Sequence, residues 1–139
     1  MSEKWETCTA ESDEADIREL ILGWAKAVRN EDFSGIRAHH DPDILMFDVP
    51  PPFQSRGLDS YMATWDIFYP SQARPITFDF KQIEITAGAD VAFATAIGHC
   101  GYIERSVTID LKFRLTMGFQ KKNGDWVIVH EHHSVPATD

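Results

Sequence analysis

The chain has 139 residues, of which 43% are hydrophobic, 12% aromatic and 25% charged, the content of one globular domain rather than of two domains or a disordered chain. Thirteen Lys and Arg against 22 Asp and Glu leave a formal charge of −9, which repels phosphate backbones and anionic lipid, so neither a nucleic acid nor a membrane is an expected partner. Nine Phe, four Trp and three Tyr are generous for one small core.

From the N-terminus, residues 1–11 form a polar leader and residues 12–139 a single domain. Met1 to Thr7 contains no apolar run behind a basic start, so no signal peptide is expected there. No stretch reaches the ~18 apolar residues of a membrane span. Two cysteines, Cys8 and Cys100, are too few for a disulfide-stapled secreted domain, and a soluble, cytoplasmic chain is the expectation.

Ser12 is placed as an N-cap, followed by Asp13, Glu14 and Asp16, where carboxylates favour the positive end of a helix. Ile17, Leu20, Ile21, Trp24 and Val28 then recur at helical spacing through about Asn30. A short second helix runs from Phe33 to about His39 and is closed by Asp41-Pro42. Ile44 to Val49 is a strand that stops against Pro50-Pro51-Pro52, and Gln54 to Gly57 is a turn. Leu58 to Tyr69 is a third helix, with Leu58, Tyr61, Met62, Trp65 and Phe68 on one side and Pro70 at its end.

The second half alternates as strands do. Phe78 and Phe80 are followed by Ile83 and Ile85, a phase slip at Lys81-Gln82 that predicts a β-bulge. Val91 to His99 has large odd residues (Val91, Phe93, Ile97) and small even ones. Val107, Ile109, Leu111, Phe113, Leu115, Met117 and Phe119 alternate with polar residues, and a turn at Lys121–Asp125 leads into Trp126 to Val135. Helices followed by strands predict an α+β domain, with helices on one face of a curved antiparallel sheet.

Two segments suit chemistry. Asp48 ends an apolar strand against prolines; half burial there would raise its pKa and fit it for proton abstraction, while a turn-forming Asp is the other reading. In His130-Glu131-His132-His133-Ser134, alternate residues share a face. A turn centred on Asn123 pairs Phe119 with Val127, Met117 with Val129, Leu115 with Glu131 and Phe113 with His133, carrying Glu131 and His133 into the core layer. A one-residue bulge would exchange them for His130 and His132. The His-x-His pair also suits a metal, but that needs two further ligands, for which His99 is a weak candidate; no metal or cofactor is expected. The chain has no phosphate-cradling Gly-rich loop, no Cys-x-x-Cys and no Gly-x-Ser-x-Gly, so nucleotide chemistry, structural zinc and serine hydrolysis lose ground.

Asp32-Phe33-Ser34-Gly35-Ile36-Arg37, the strand Ile44 to Asp48, and Ser55-Arg56-Gly57 before a helix resemble the SnoaL-like and ketosteroid-isomerase-like proteins of the nuclear transport factor two superfamily. Gly124-Asp125-Trp126 through His130-Glu131-His132-His133-Ser134-Val135-Pro136 is similar to the G-x-W-x-I-x-H-x-H-x-S close of the SnoaL-like subgroup, which includes the association domain of calcium/calmodulin-dependent kinase II. The resemblance covers nearly everything after residue 12. It implies a cone-shaped α+β fold: three N-terminal helices packed on the concave face of a curved mixed or antiparallel sheet, a pocket at the wide end, and a homodimer through the outer sheet face. It also implies that Asp48 stands where ketosteroid isomerases carry the Asp that moves a proton between substrate carbons. Their oxyanion-stabilising Tyr falls at Trp24, and their protonated Asp near Thr116. Losing one such donor costs ~100–1000-fold in rate, so steroid isomerisation itself is not expected, although the Trp24 indole N–H remains a donor.

The function expected is acid–base catalysis on a small organic molecule (isomerisation, dehydration or cyclisation) without a cofactor, the alternative being a non-catalytic ligand-binding or dimerisation module. Asp48 is the expected base, with His133 and Glu131 the acid or orienting pair. Trp24, Met46, Phe53, Tyr61, Trp65, Phe113 and Met117 are expected to line the pocket, with Phe93 converging on it.

Overall fold

The computed structural model describes residues 2–138, with side chains from residue 11 onward, so the Cys8 thiol lies outside the described residues. Helix α1 spans Ser2–Arg29, ten residues more than a start at Ser12 allows. The leader contains neither Gly nor Pro to stop a helix, and Ser12 becomes an interior residue. Asp13 does more than face the helix dipole: it is buried, and its Oδ1 accepts from Lys121 Nζ at 2.8 Å and Trp126 Nε1 at 3.1 Å, fastening the helix to the sheet. Ile17, Ile21, Trp24 and Val28 form the buried face that the spacing predicts.

The short helix α2 covers Phe33–Arg37 and is capped by Asp32, whose Oδ1 accepts from the Gly35 N–H at 3.0 Å. It ends two residues earlier than expected, and strand β1, His40–Phe47, begins earlier. A two-residue strand β2, Ser55–Arg56, replaces the predicted turn by pairing with Leu45 and Met46. Helix α3 is Leu58–Phe68, followed by a 3₁₀ turn at Tyr69–Ser71. The remaining strands are β3 (Phe78–Ala87), β4 (Val91–Glu104), β5 (Val107–Lys122) and β6 (Asp125–Ser134).

These six strands form one open mixed sheet in the order β2-β1-β6-β5-β4-β3, in which β1 and β6 alone run parallel. The helices pack on one face of it. The phase slip at Lys81-Gln82 is a true irregularity: pairing with β4 shifts between Lys81 and Glu84, and Gln82 has φ 54°. The small even residues of β4 (Ala92, Ala94, Ala96) face inward. Val91 and Phe93 are therefore on the outer face, 59% and 52% exposed, and Phe93 does not reach the interior as expected. No helix among the described residues is long and apolar enough to cross a membrane.

Gly98 marks the tightest point of the inner face. It pairs with Phe113, and a Cβ there would stand 2.4 Å from Phe113 Cζ and 2.7 Å from Phe80 Cε1. Phe78, Phe80 and Phe113 close a mutually packed cluster over it, with centroids 5.0–5.9 Å apart. Gly98→Ala should therefore displace buried rings and cost about 1–3 kcal/mol. A thermal melt checks this: a fall of several degrees is expected, and an unchanged melting temperature would show that the rings yield freely.

Candidate active site

Whether Glu131 and His133 face inward depends on the β5–β6 hairpin, and the structure reaches the expected result by a different register. The turn is the two-residue Asn123-Gly124 pair, both at positive φ, so Lys122 pairs with Asp125 and Phe119 with Ile128. That one-step offset alone would turn His132 inward. The pairing then shifts once more between Gly118 and Phe119, opposite the extra residue Val129, so that Met117 pairs with Glu131 and Leu115 with His133. Two single-residue offsets restore the original parity. Trp126 and Ile128 are buried before the bulge, and Glu131 and His133 after it.

Strand β1 supplies the second half of the site. Met46 sits beside Glu131 and Phe47 beside His132 in the parallel ladder, which brings Asp48 to the inner face next to His133. His130 and His132 point outward and pack edge-on against Phe47, at 5.0 and 5.4 Å between centroids. His99 lies on β4 with Asp110 at 3.3 Å. Among the described residues no group of three or more His, Cys, Asp or Glu is arranged to hold a metal ion.

Glu131 is wholly enclosed, and two imidazoles meet it: His40 Nε2 at 2.5 Å from Oε2, and His133 Nε2 at 3.0 Å from Oε1. His40 Nδ1 lies 3.1 Å from the Ala38 carbonyl, which can only accept, so Nδ1 carries a proton. The ring stacks on Tyr61 at 4.7 Å, and the Tyr61 hydroxyl accepts from Trp24 Nε1 at 3.0 Å. Burial drives the Glu131 carboxyl upward, but hydrogen bonds from His133 and His40, with their charges, outweigh it and hold Glu131 well below its usual range. For His133, burial disfavours the charged ring, yet the bond to Glu131 and the charges of Glu131 and Asp48 raise it. Desolvation raises Asp48, against the pull of His133 and the Val49 N–H that bonds its Oδ1 at 2.8 Å. Burial, reinforced by Glu131, pushes the Tyr61 phenol well above its normal value.

Asp48 and His133 open onto a cavity of about 430 Å³ beneath the Pro50–Pro52 loop, between α3 with its 3₁₀ turn and the sheet. Met46, Trp65, Phe68, Phe78, Leu111 and Phe113 make it apolar, and Ser55, Thr64 and Gln72 add polar groups. Cys100 also touches it, but burial pushes that thiol up to about 11, far from a nucleophile's range. The nitrogen of His133 not committed to Glu131, Nδ1, is the one left for a ligand.

Of the residues expected to line a pocket, Met46, Trp65 and Phe113 do so. Phe53 does not; it sits on the proline loop, 96% exposed, because three prolines carry the chain past the cavity mouth. Tyr61 and Met117 are fully buried behind the wall, and Trp24 spends its N–H on Tyr61 instead of offering it to a ligand. Trp24 borders a second, more open cavity of about 590 Å³ between α1 and the β5–β6 turn. Thr116 is exposed on the outer face, opposite His132, so it offers no donor to the interior. His40 was not foreseen as a site residue, since His39-His40 reads as a helix end; Gln72 lies in a short turn that carries no motif.

Residues 17–138 match the family model of the SnoaL-like domain. Among solved structures, an NTF2-like protein of unknown function from Pseudomonas putida KT2440 is 33% identical, with a TM-score of 0.82 over 91% of this chain and 88% of that one. An NTF2-like protein with a cystatin-like fold from Novosphingobium aromaticivorans is 14% identical, with a TM-score of 0.86 over 100% of this chain and 92% of that one. A ketosteroid isomerase-like protein from Erwinia carotovora atroseptica SCRI1043 is 16% identical, with a TM-score of 0.73 over 88% of this chain and 96% of that one. No curated protein matches.

Proposed function

The chain belongs to the SnoaL-like domain family, and on that premise we propose that it carries out general acid–base chemistry on a small organic molecule held in the apolar cavity. The observation that carries this reading is the meeting, at one cavity wall, of a carboxylate and an imidazole that are both raised above their ordinary values, the first by desolvation and the second, against its burial, by its carboxylate neighbours. A carboxylate becomes a stronger base when desolvation lifts its pKa, and an imidazole raised by a carboxylate partner keeps its proton at neutral pH and so can act as the acid. Asp48 removes a proton from carbon. His133, oriented through Nε2 by Glu131, gives or shares a proton through Nδ1 at the oxygen where charge develops. Glu131 and His40 touch no ligand; they are positioning residues that fix the imidazole's tautomer and plane. The apolar walls exclude water, which strengthens both effects.

The reaction class is tested by hydrogen–deuterium exchange at carbons α to the carbonyl of a panel of small cyclic ketones in D₂O, followed by proton NMR. Saturable exchange faster than an equal concentration of free acetate and imidazole is expected for at least one member. Binding without exchange across the panel would reject catalysis of this kind and leave the non-catalytic binding module.

A further inference from the structure

Three Ser and Thr side chains stand in the cavity wall, and two of them have committed their hydroxyl protons. Thr64 Oγ1 donates to the Tyr61 carbonyl and Ser71 Oγ to that of Phe68, each at 2.6 Å. Ser55 is different. Its hydroxyl bonds to no group among the described residues, yet it is not shut in: the side-chain polar atoms enclosed there without a partner are Trp65 Nε1 and Gln72 Oε1. The surface that Ser55 keeps is cavity surface, since the residue is 4% exposed and belongs to the wall.

Its position follows from strand pairing. Ser55 lies directly opposite Met46 across β1 and β2, and directly opposed residues share a face, so it points inward with the buried Met46. Asp48 follows Met46 by two residues on the same face, which makes it a diagonal neighbour of Ser55 at roughly 7–8 Å. Strand β1 runs between β2 and β6, with Met46 beside Glu131 and Phe47 beside His132. His133 therefore flanks Asp48 on one side and Ser55 on the other. A carbon above the Asp48 carboxylate has an imidazole towards β6 and an uncommitted hydroxyl towards β2. Around that hydroxyl the wall is mostly apolar, so its partner is water or a ligand, and a ligand that expels the water must replace its hydrogen bond.

We propose that Ser55 is a specificity-determining residue whose hydroxyl donates to a second oxygen of the ligand, on the side of the reacting carbon away from the oxygen held by His133. This rests on the functional reading above and narrows its substrates to compounds oxygenated on both sides of the C–H that Asp48 deprotonates, of which β-keto esters and β-hydroxy ketones are the simple cases. Ser55 itself takes no part in proton transfer.

The probes are methyl benzoylacetate and valerophenone, aryl ketones of matched length of which only the first is oxygenated beyond the α-carbon. Both are titrated calorimetrically into the wild-type protein and Ser55→Ala. The substitution is expected to weaken methyl benzoylacetate by roughly 3- to 10-fold, the range of one buried hydrogen bond, and to leave valerophenone unchanged. Because the hydroxyl bonds to no protein group, the melting temperature of the ligand-free variant should stay level with wild type. The same selective loss is expected when Ser55→Ala is combined with Asp48→Asn, and its absence there would show that Ser55 acts through Asp48 instead of on the ligand. That result would overturn the assignment, as would an equal loss for both ligands, no loss for either, a ligand-free melting temperature several degrees lower, or binding of neither ligand. Failure of the ketone exchange with the Ser55-dependent loss intact would support the ligand contact and count against catalysis alone.

Discussion

Asp48→Asn is expected to lower the turnover of any substrate of this site by ~10²–10⁴-fold while leaving its affinity almost unchanged, the usual contribution of a positioned general base. The substituted amide keeps a carbonyl for the Val49 N–H, so the end of β1 should hold its shape. Asp48's pKa is raised in the folded protein, so its ionisation costs stability as the pH climbs from 3.8 through the raised value. Removing the charge at neutral pH should therefore leave the melting temperature level or slightly higher, a trade of stability for function. In the wild type, kcat/KM should fall on the acid side as Asp48 protonates, above 3.8, and on the alkaline side as His133 loses its proton, above 6.5. The variant should lose the acid limb. Activity within tenfold of wild type, or an acid limb that persists, would remove Asp48 from the role of base.

Glu131→Leu is expected to have the largest effect on stability, about 3–5 kcal/mol, the range for breaking a buried charged pair by removing one partner. Two buried imidazole N–H groups lose their acceptor at once, and the His40 ring is wholly enclosed, with no water to turn to. Over 139 residues this corresponds to a fall of roughly 10–20 °C in melting temperature. Glu131→Gln separates the hydrogen bonds from the charge. Its carbonyl would accept from His133 Nε2 and its NH₂ would donate to His40 Nε2, since His40 keeps its proton on Nδ1. The amide variant should thus fold with a far smaller loss, yet His133 should no longer be raised. Chemical denaturation and NMR titration of the His133 ring measure both. Equal losses in the two variants would show that packing, rather than the bonds to His40 and His133, governs the site.

The same network sets the response to pH. Glu131 is lowered in the folded state, so its contribution is present above 4.5 and lost as pH falls through the folded value. His133 is raised, so its contribution is complete below 6.5 and lost as pH rises through its folded value. Maximum stability from this pair is therefore expected between pH 4.5 and 6.5, which melting curves across pH 3–9 can check.

The helices, most of the strands and the Lys81-Gln82 bulge were legible because each rests on a local period: apolar residues at helical spacing in α1 and α3, alternation in β5, a phase slip in β3. The motif around Asp32 and the Gly124–Pro136 segment pointed to the family and placed Asp48 in it. Other features were out of reach for a shared reason. His40 gains its meaning from Glu131, 91 residues away, and Asp13 from Lys121 and Trp126 at the far end of the chain. Glu131 and His133 were expected on the inner face through a pairing that the structure does not use. The parity of a strand depends on the sum of every offset between turn and residue, and two such offsets cancelled.

The opening surplus of aromatic residues divides in the same way. Sequence alone determined that so many rings exceed a small core, and that Trp24, Tyr61 and Trp65 lie on apolar helix faces. Tertiary structure alone decided which of them meet empty space. Trp65, Phe68, Phe78 and Phe113 enclose the cavity, Trp24 and Tyr61 are consumed in a hydrogen bond behind it, and Phe53 and Phe93 face outward. Periodicity specifies on which side of its own element a residue lies. Whether that side meets a neighbouring element or a void is set by the spacing between layers, which belongs to contacts between residues far apart in the chain.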